Sequence, residues 1–112
     1  MSHDETEIVV ARSGDRDRYG LTVDGQQAGF TEYIDRGGQR IFYHTEIGAD
    51  FGGRGLGSAL IGRALADTRA ADLRVVPVCP FVKKYLESHH EVDDVVDAVT
   101  PDALAAVRDR TG

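Results

Sequence analysis

The chain has 112 residues, 41% of them hydrophobic and 29% charged, which fits one small globular domain and leaves no room for two. Its net charge of −6, with basic residues scattered among acidic ones, argues against the basic stripe of a nucleic-acid groove. One cysteine excludes an internal disulfide and a multi-cysteine metal site, and no apolar run approaches a membrane span.

The polar, acidic start Met1-Ser2-His3-Asp4-Glu5 has no signal-peptide pattern, so the expected address is the cytoplasm. Ile8-Val9-Val10-Ala11 predicts a first strand over residues 7–12, followed by a turn at Gly14-Asp15-Arg16-Asp17. A second strand is expected over 19–23. Asp24-Gly25 then signals a hairpin, since both central positions of such a turn need positive φ. The third strand is read over 27–34, with a turn at Asp35-Arg36-Gly37-Gly38, and the fourth over 40–47. The fourth is the clearest, with Ile41, Phe42, Tyr43, Thr45 and Ile47. Simple alternation puts His44 and Glu46 on the face of Phe42, and Ile41, Tyr43, Thr45 and Ile47 on the other.

A helix is expected over 56–70, with Leu56, Leu60 and Ala64 on one stripe and Ile61 and Leu65 beside it. Arg63 and Asp67 are spaced to pair on its exposed side. Gly57 suits close approach of a ligand, and Gly62 close packing of a strand. Residues 73–78 predict a buried strand that Pro77 forces to splay or lie at an edge. A second helix follows over 80–88, residues 91–99 read as loop or short strand, and Thr100 opens a terminal helix over 101–110. The layout is α/β: an antiparallel half of four meandering strands, one crossover helix, a fifth strand and a helix. The core spans about 7–99, with a helical tail at 100–112.

Chemistry concentrates in three places. Gly52, Gly53, Gly55 and Gly57 bracket Arg54 just before the first helix and after the fourth strand. A Gly-rich run at a helix N-terminus makes an anion cradle, although an isolated run of this kind is more often a plain turn. Cys79, followed by Pro80, falls at the N-cap of the second helix. There the dipole favours a thiolate, against the alternative of an inert cysteine closing a strand. His44 and Glu46, adjacent on one strand face, suit proton transfer; the alternative is a solvated sheet face. His89-His90 reads as a helix end and a poor metal site, because adjacent side chains diverge.

His44-Thr45-Glu46-Ile47, the loop from Phe51 to Leu60, and Cys79-Pro80-Phe81-Val82-Lys83-Lys84-Tyr85-Leu86 with His89 together resemble the short GNAT-type N-acetyltransferases, within a small subgroup marked by a strand-end cysteine. The resemblance covers about residues 19–92. It implies a mixed, mostly antiparallel twisted sheet with splayed central strands and two main helices plus a short C-terminal one. It also implies a small acetyl-CoA-dependent enzyme acting on a primary amine, carried by a small molecule or a protein, with no metal, nucleic acid or membrane, as a monomer or weak homodimer.

In that family the loop reads Arg/Gln-x-x-Gly-x-Gly/Ala. Gly55 and Gly57 match its small positions, and Gly52 stands where arginine or glutamine is usual. By resemblance Gly52, Gly53, Arg54, Gly55, Leu56, Gly57 and Ser58 hold the coenzyme A pyrophosphate with Lys84, and backbone near Ile47 pairs with the pantetheine arm. Cys79, His44 and Glu46 are the implied catalytic residues. Tyr85 is offset by one from the family's helix tyrosine, and His89-His90-Glu91-Val92 replaces the usual His-Pro-Glu-aromatic ending. The opening helices that shape an acceptor pocket are missing. The rival readings are a non-catalytic acetyl-CoA sensor or interaction module, and a binder of a different phosphate ligand.

Overall fold

Three tight turns build the first four strands, and their backbone geometry explains the residues found there. Asp17, Asp24, Gly25, Gly37 and Gly38 all have positive φ, between 51° and 84°, the region that Asp and Gly tolerate best. The structure is a computed structural model that describes residues 7–51 and 55–111. In chain order it contains β1 (Ile8–Ser13), β2 (Arg18–Val23), β3 (Gln26–Arg36), β4 (Gln39–Ile47), α1 (Leu56–Ala70), β5 (Arg74–Pro77), α2 (Pro80–Ser88) and α3 (Pro101–Thr111). Short 3-10 turns lie at Ala49–Phe51 and Asp93–Val95.

The sheet order is β1-β2-β3-β4-β5, with the first four strands antiparallel and β4–β5 parallel. This is the mixed, mostly antiparallel sheet expected. Strand β5 is shorter than the expected 73–78, because the ladder stops at Pro77 opposite Phe42. A proline cannot donate to a continuing ladder. The stretch beyond α2 forms one bridge, Val75 with Val96. Thr100 caps α3 as expected, its hydroxyl accepting from the Ala103 N–H at 3.1 Å.

Each sheet face has its own core. Tyr19, Leu21, Tyr33 and Phe42 pack under Leu60, Ile61 and Leu65 of α1 and Val82 of α2. On the other face Ile34, Ile41 and Val76 pack under Ala103 of α3. The α1 stripe read from the sequence is the buried one. Two local expectations are corrected. Asp67 does not pair with Arg63; it accepts instead from the buried Tyr19 hydroxyl at 2.6 Å. Gly62 makes room not for a strand but for α2, since a Cβ there would lie 2.8 Å from the Tyr85 hydroxyl.

A β-bulge causes the third correction. Glu32 pairs with His44 and Tyr33 with Phe42, so Tyr43 has no partner on β3. The extra residue inverts the alternation beyond it. His44 and Glu46 therefore do not share the face of Phe42. They stand on the α3 side, while Thr45 and Ile47 turn toward α1 and α2.

The most buried charged group among the described residues is Arg40, whose side chain is 5% exposed. Its Nε and Nη2 donate to the two oxygens of Asp35 at 2.7 and 2.8 Å. Its Nη1 donates to the Tyr19 hydroxyl at 2.6 Å, which in turn donates to Asp67 of α1. The guanidinium also lies 4.3 Å from the centre of the Tyr33 ring. Burial acts to lower the Arg40 pKa, but Asp35 and the two tyrosines outweigh it and hold the group firmly charged. Tyr19 is held protonated by burial and by its bond to Asp67.

Replacing Arg40 by lysine keeps the charge but removes the fork. Asp35 is 42% exposed and rehydrates, so the cost falls below that of a fully buried broken pair. We expect a loss of roughly 2–3 kcal/mol, read as a lower urea midpoint at unchanged slope. A second prediction concerns Asp97, whose pKa is lowered by bonds from Gln39 and Arg74. A depressed carboxyl stabilises above its unfolded pKa and loses that contribution as pH falls through the folded value. The difference in melting temperature between wild type and Asp97→Asn should be constant above about pH 5 and shrink to nothing in strong acid.

Candidate functional site

Strand β4 outlasts its parallel neighbour, and the site grows from that mismatch. Beyond Phe42 the β5 chain turns away: the N–H groups of Val78 and Cys79 both donate to the Phe42 carbonyl, at 3.0 and 2.9 Å. Residues 43–47 of β4 thus have β3 on one side and no β5 pairing on the other. The Gly48 N–H donates to Ala28 of β3 at 2.7 Å. Because backbone groups alternate along a strand, the N–H and C=O of Ile47 point into the gap that β5 leaves.

Beyond Ile47 the chain closes a small turn, Phe51 N–H to the Gly48 carbonyl at 2.9 Å. Gly52, Gly53 and Arg54, central to the anion cradle read from the sequence, lie outside the described residues. Gly55 caps α1 with φ 72°, a conformation that costs other L-residues strain. Among the described residues no side chain caps α1, so the N–H groups of its first turn, including those of Leu56, Gly57 and Ser58, have no side-chain acceptor there. They carry the positive pole of the helix dipole, and Leu56 shares a core cluster with Ile47 at the end of β4. Leu56 contributes its amide only; its side chain is 3% exposed and belongs to the core.

Cys79 is the N-cap of α2 and is 4% exposed, packed into the core on the α1 side. Its thiol donates to Thr45 Oγ1 at 3.4 Å, and Thr45 shares a 2.9 Å hydrogen bond with Thr31. Thr31 in turn donates to the His44 carbonyl at 3.3 Å. On the opposite face His44 Nε2 and Glu46 Oε2 are 2.7 Å apart, both side chains open to solvent. The structure therefore unites His44 with Glu46 but sets them and Cys79 on different sides of β4, with Thr45 between. Neither Thr31 nor Thr45 stands out in the sequence. Only knowledge of the bulge would have turned Thr45 toward the thiol.

Helices α1 and α2 enclose a groove of 310 Å³ lined by Ser58, Phe81, Lys84, Tyr85, Ser88 and His89. Phe81 is 40% exposed, and its ring lies so near Gly57 that a Cβ there would collide with it. Gly57 is thus required for packing of the two helices, beyond any ligand. Among the described lining residues Lys84 of α2 is the one lysine or arginine, and Ser58 is contributed by the start of α1. The Tyr85 and His89 rings stack with centres 4.0 Å apart and planes 3° from parallel. Burial and nearby Glu91 raise the Tyr85 phenol pKa, and its hydroxyl bonds Glu91 at 3.4 Å. His89 closes α2, its Nδ1 3.0 Å from the Tyr85 carbonyl. His90 pairs with Asp93, so the two histidines do part.

Among the described residues no group of three or more His, Cys, Asp or Glu could hold a metal ion. No described helix is long and apolar enough to cross a membrane.

No curated protein sequence matches the chain significantly. The NMR solution structure of a GCN5-like protein from Staphylococcus aureus shares the fold, with a TM-score of 0.61 at 19% identity over 90% of this chain and 95% of that one. A family model described as GCN5-related N-acetyl-transferase matches residues 18–95, from the start of β2 to beyond α2. That span includes the β4–β5 divergence, the start of α1 and Cys79, and on it the chain belongs to the GCN5-related N-acetyltransferase family.

Proposed function

We propose that the protein transfers an acetyl group from acetyl-CoA to a primary amine. The observation that carries this reading is the divergence of β4 from β5 beside the uncapped N-terminus of α1. An unpaired strand rim offers hydrogen bonds to an extended amide-bearing arm, and a free helix N-terminus offers them to a phosphate anion. The chain's residues fit that ligand along its length. Gly55 has the positive φ that a tight approach of backbone to an anion favours, and Ser58 and Lys84, which line one groove, offer a hydroxyl and a cation to a second phosphate. The half-exposed Phe81 ring supplies an apolar surface for the nucleotide end.

Acetyl-CoA supplies the activated acyl group: the amine nitrogen forms the new C–N bond as the C–S bond breaks. Two proton movements fall to the protein. An alkylammonium acceptor has a pKa near 10.4 and must lose a proton to attack. His44, held by Glu46, takes it directly or through water. The departing thiolate needs a proton, which the Cys79 thiol gives, and the second proton that the nitrogen sheds as the amide forms restores that thiol. Thr45 orients that thiol, and the Thr31 bond fixes Thr45 in turn. The base and the acid work from opposite faces of β4, so acceptor and leaving group do not compete for one space.

Acetyl-CoA and CoA should both raise the melting temperature, with a larger shift at higher ligand concentration. Cys79→Ala should lower the rate of transfer about 100-fold while leaving CoA affinity within a factor of two. Equal turnover by the variant and the wild type would remove the thiol from the mechanism. Saturable CoA binding with no product, across a broad panel of amines and peptides, would instead establish a sensor.

A further inference from the structure

Helix α3 covers only part of its sheet face. Its side of the sheet is closed over Ile34, Ile41 and Val76, but no described helix covers the stretch toward the end of β4. Across that open stretch the strand pairing sets Arg18 beside Glu32, Gly20 beside Phe30, Glu32 beside His44 and Phe30 beside Glu46. Tyr19 and Leu21 point into the α1-side core, so Gly20 lies on this open face. The Phe30 ring is held between two polar groups. The Arg18 guanidinium sits 4.1 Å from its centre, and the His44 ring is 5.9 Å away. Arg18 also bonds Glu32 at 2.7 Å, which neutralises both. Among the described residues Glu46 has the His44 imidazole, two residues away on the same strand, as its one polar partner, and its side chain is 60% exposed, so it is the unbalanced charge of the patch.

We propose that this face seats the acceptor, and that the acceptor is a lysine side chain carried by a polypeptide. This deepens the acetyl-transfer reading and rests on it. The chemistry fits a lysine in two parts: its aliphatic stem lies over Gly20, against the edge of the Phe30 ring, while its ammonium approaches Glu46 and the base His44. Shape argues for a polypeptide. Gly20 leaves a trough next to Phe30, since a Cβ there would meet only Gln27 Nε2, at 3.8 Å. His44 is itself 46% exposed, so this shallow surface covers one side of a substrate and no more. A free small amine would stay largely in water, whereas a chain segment laid along the trough brings its own area of contact. The surplus of acidic residues in the chain, net charge −6, favours a basic segment.

The test uses two variants that leave the proposed proton-transfer residues untouched. Gly20→Thr fills the trough and suits a strand; Phe30→Ala removes the ring. With an N-terminally blocked basic peptide bearing one lysine, both should raise the peptide KM about tenfold, with kcat and acetyl-CoA affinity little changed. Spermidine should be a poorer substrate than the peptide, with a KM that Gly20→Thr barely alters. An unchanged peptide KM in both variants, or spermidine outperforming the peptide, would overturn the seat. Amide NMR shifts on titrating the same peptide decide the matter without turnover. Shifts centred on Gly20, Phe30 and His44 support the seat even if no amine is acetylated, an outcome that sinks the acetyl-transfer reading alone. Shifts elsewhere, or none, sink the seat whatever the activity.

Discussion

A charged guanidinium buried at the middle of a small sheet is expensive unless every donor is matched, and Arg40 is matched on three sides. Asp35 holds it from β3, Tyr19 from β2, and through Tyr19 the network reaches Asp67 on α1. Packing alone would let α1 slide over an apolar surface, since hydrophobic contact is not directional. Hydrogen bonds of this kind fix a register. The start of α1 and the end of β4 must face each other for the gap between them to bind anything, and Arg40 lies in the strand whose continuation forms one wall of that gap. A structural residue far from any chemistry thus sets the geometry on which the chemistry depends.

The second constraint is parity. A sheet without irregularities would have put the histidine–glutamate pair among the buried aromatics of the α1 side, where two ionisable groups have no place. One unpaired residue, Tyr43, moves them to the open face and sends Thr45 inward to meet the thiol. The same step separates the proposed proton acceptor from the proposed proton donor. Division of labour across one strand needs no additional element, only an odd count of residues.

Much of the fold is legible in the sequence because its signals are local. The hairpin turns announce themselves by Asp-Gly and Gly-Gly, α1 by its apolar stripe, and the end of β5 by Pro77. What escapes is set by tertiary contact. The Tyr43 bulge leaves no mark in a run of aromatic and β-branched residues. Helical spacing directs Asp67 to Arg63, four residues away on its own helix, whereas its partner is Tyr19 on β2. Gly62 was read against a strand and belongs to Tyr85. Of the candidate site, Cys79, His44 and Glu46 were visible by residue type, but the threonines that link the two faces were not. Nor was Phe30, which reads as an ordinary strand aromatic until its face is seen to lack a helix.

The short β5 also makes the stability of the sheet uneven. From Gln39 to Phe42, β4 is an interior strand, bonded on both sides; a few residues later it is an edge. Edges open first in native-state fluctuations, so the far end of β4 belongs to a weaker cooperative unit than its beginning. A ligand that takes the place of the missing neighbour would therefore do more than occupy a cleft. It would finish the sheet, and the slowing of amide exchange along that last stretch of β4 would measure ligand affinity and local folding as one equilibrium.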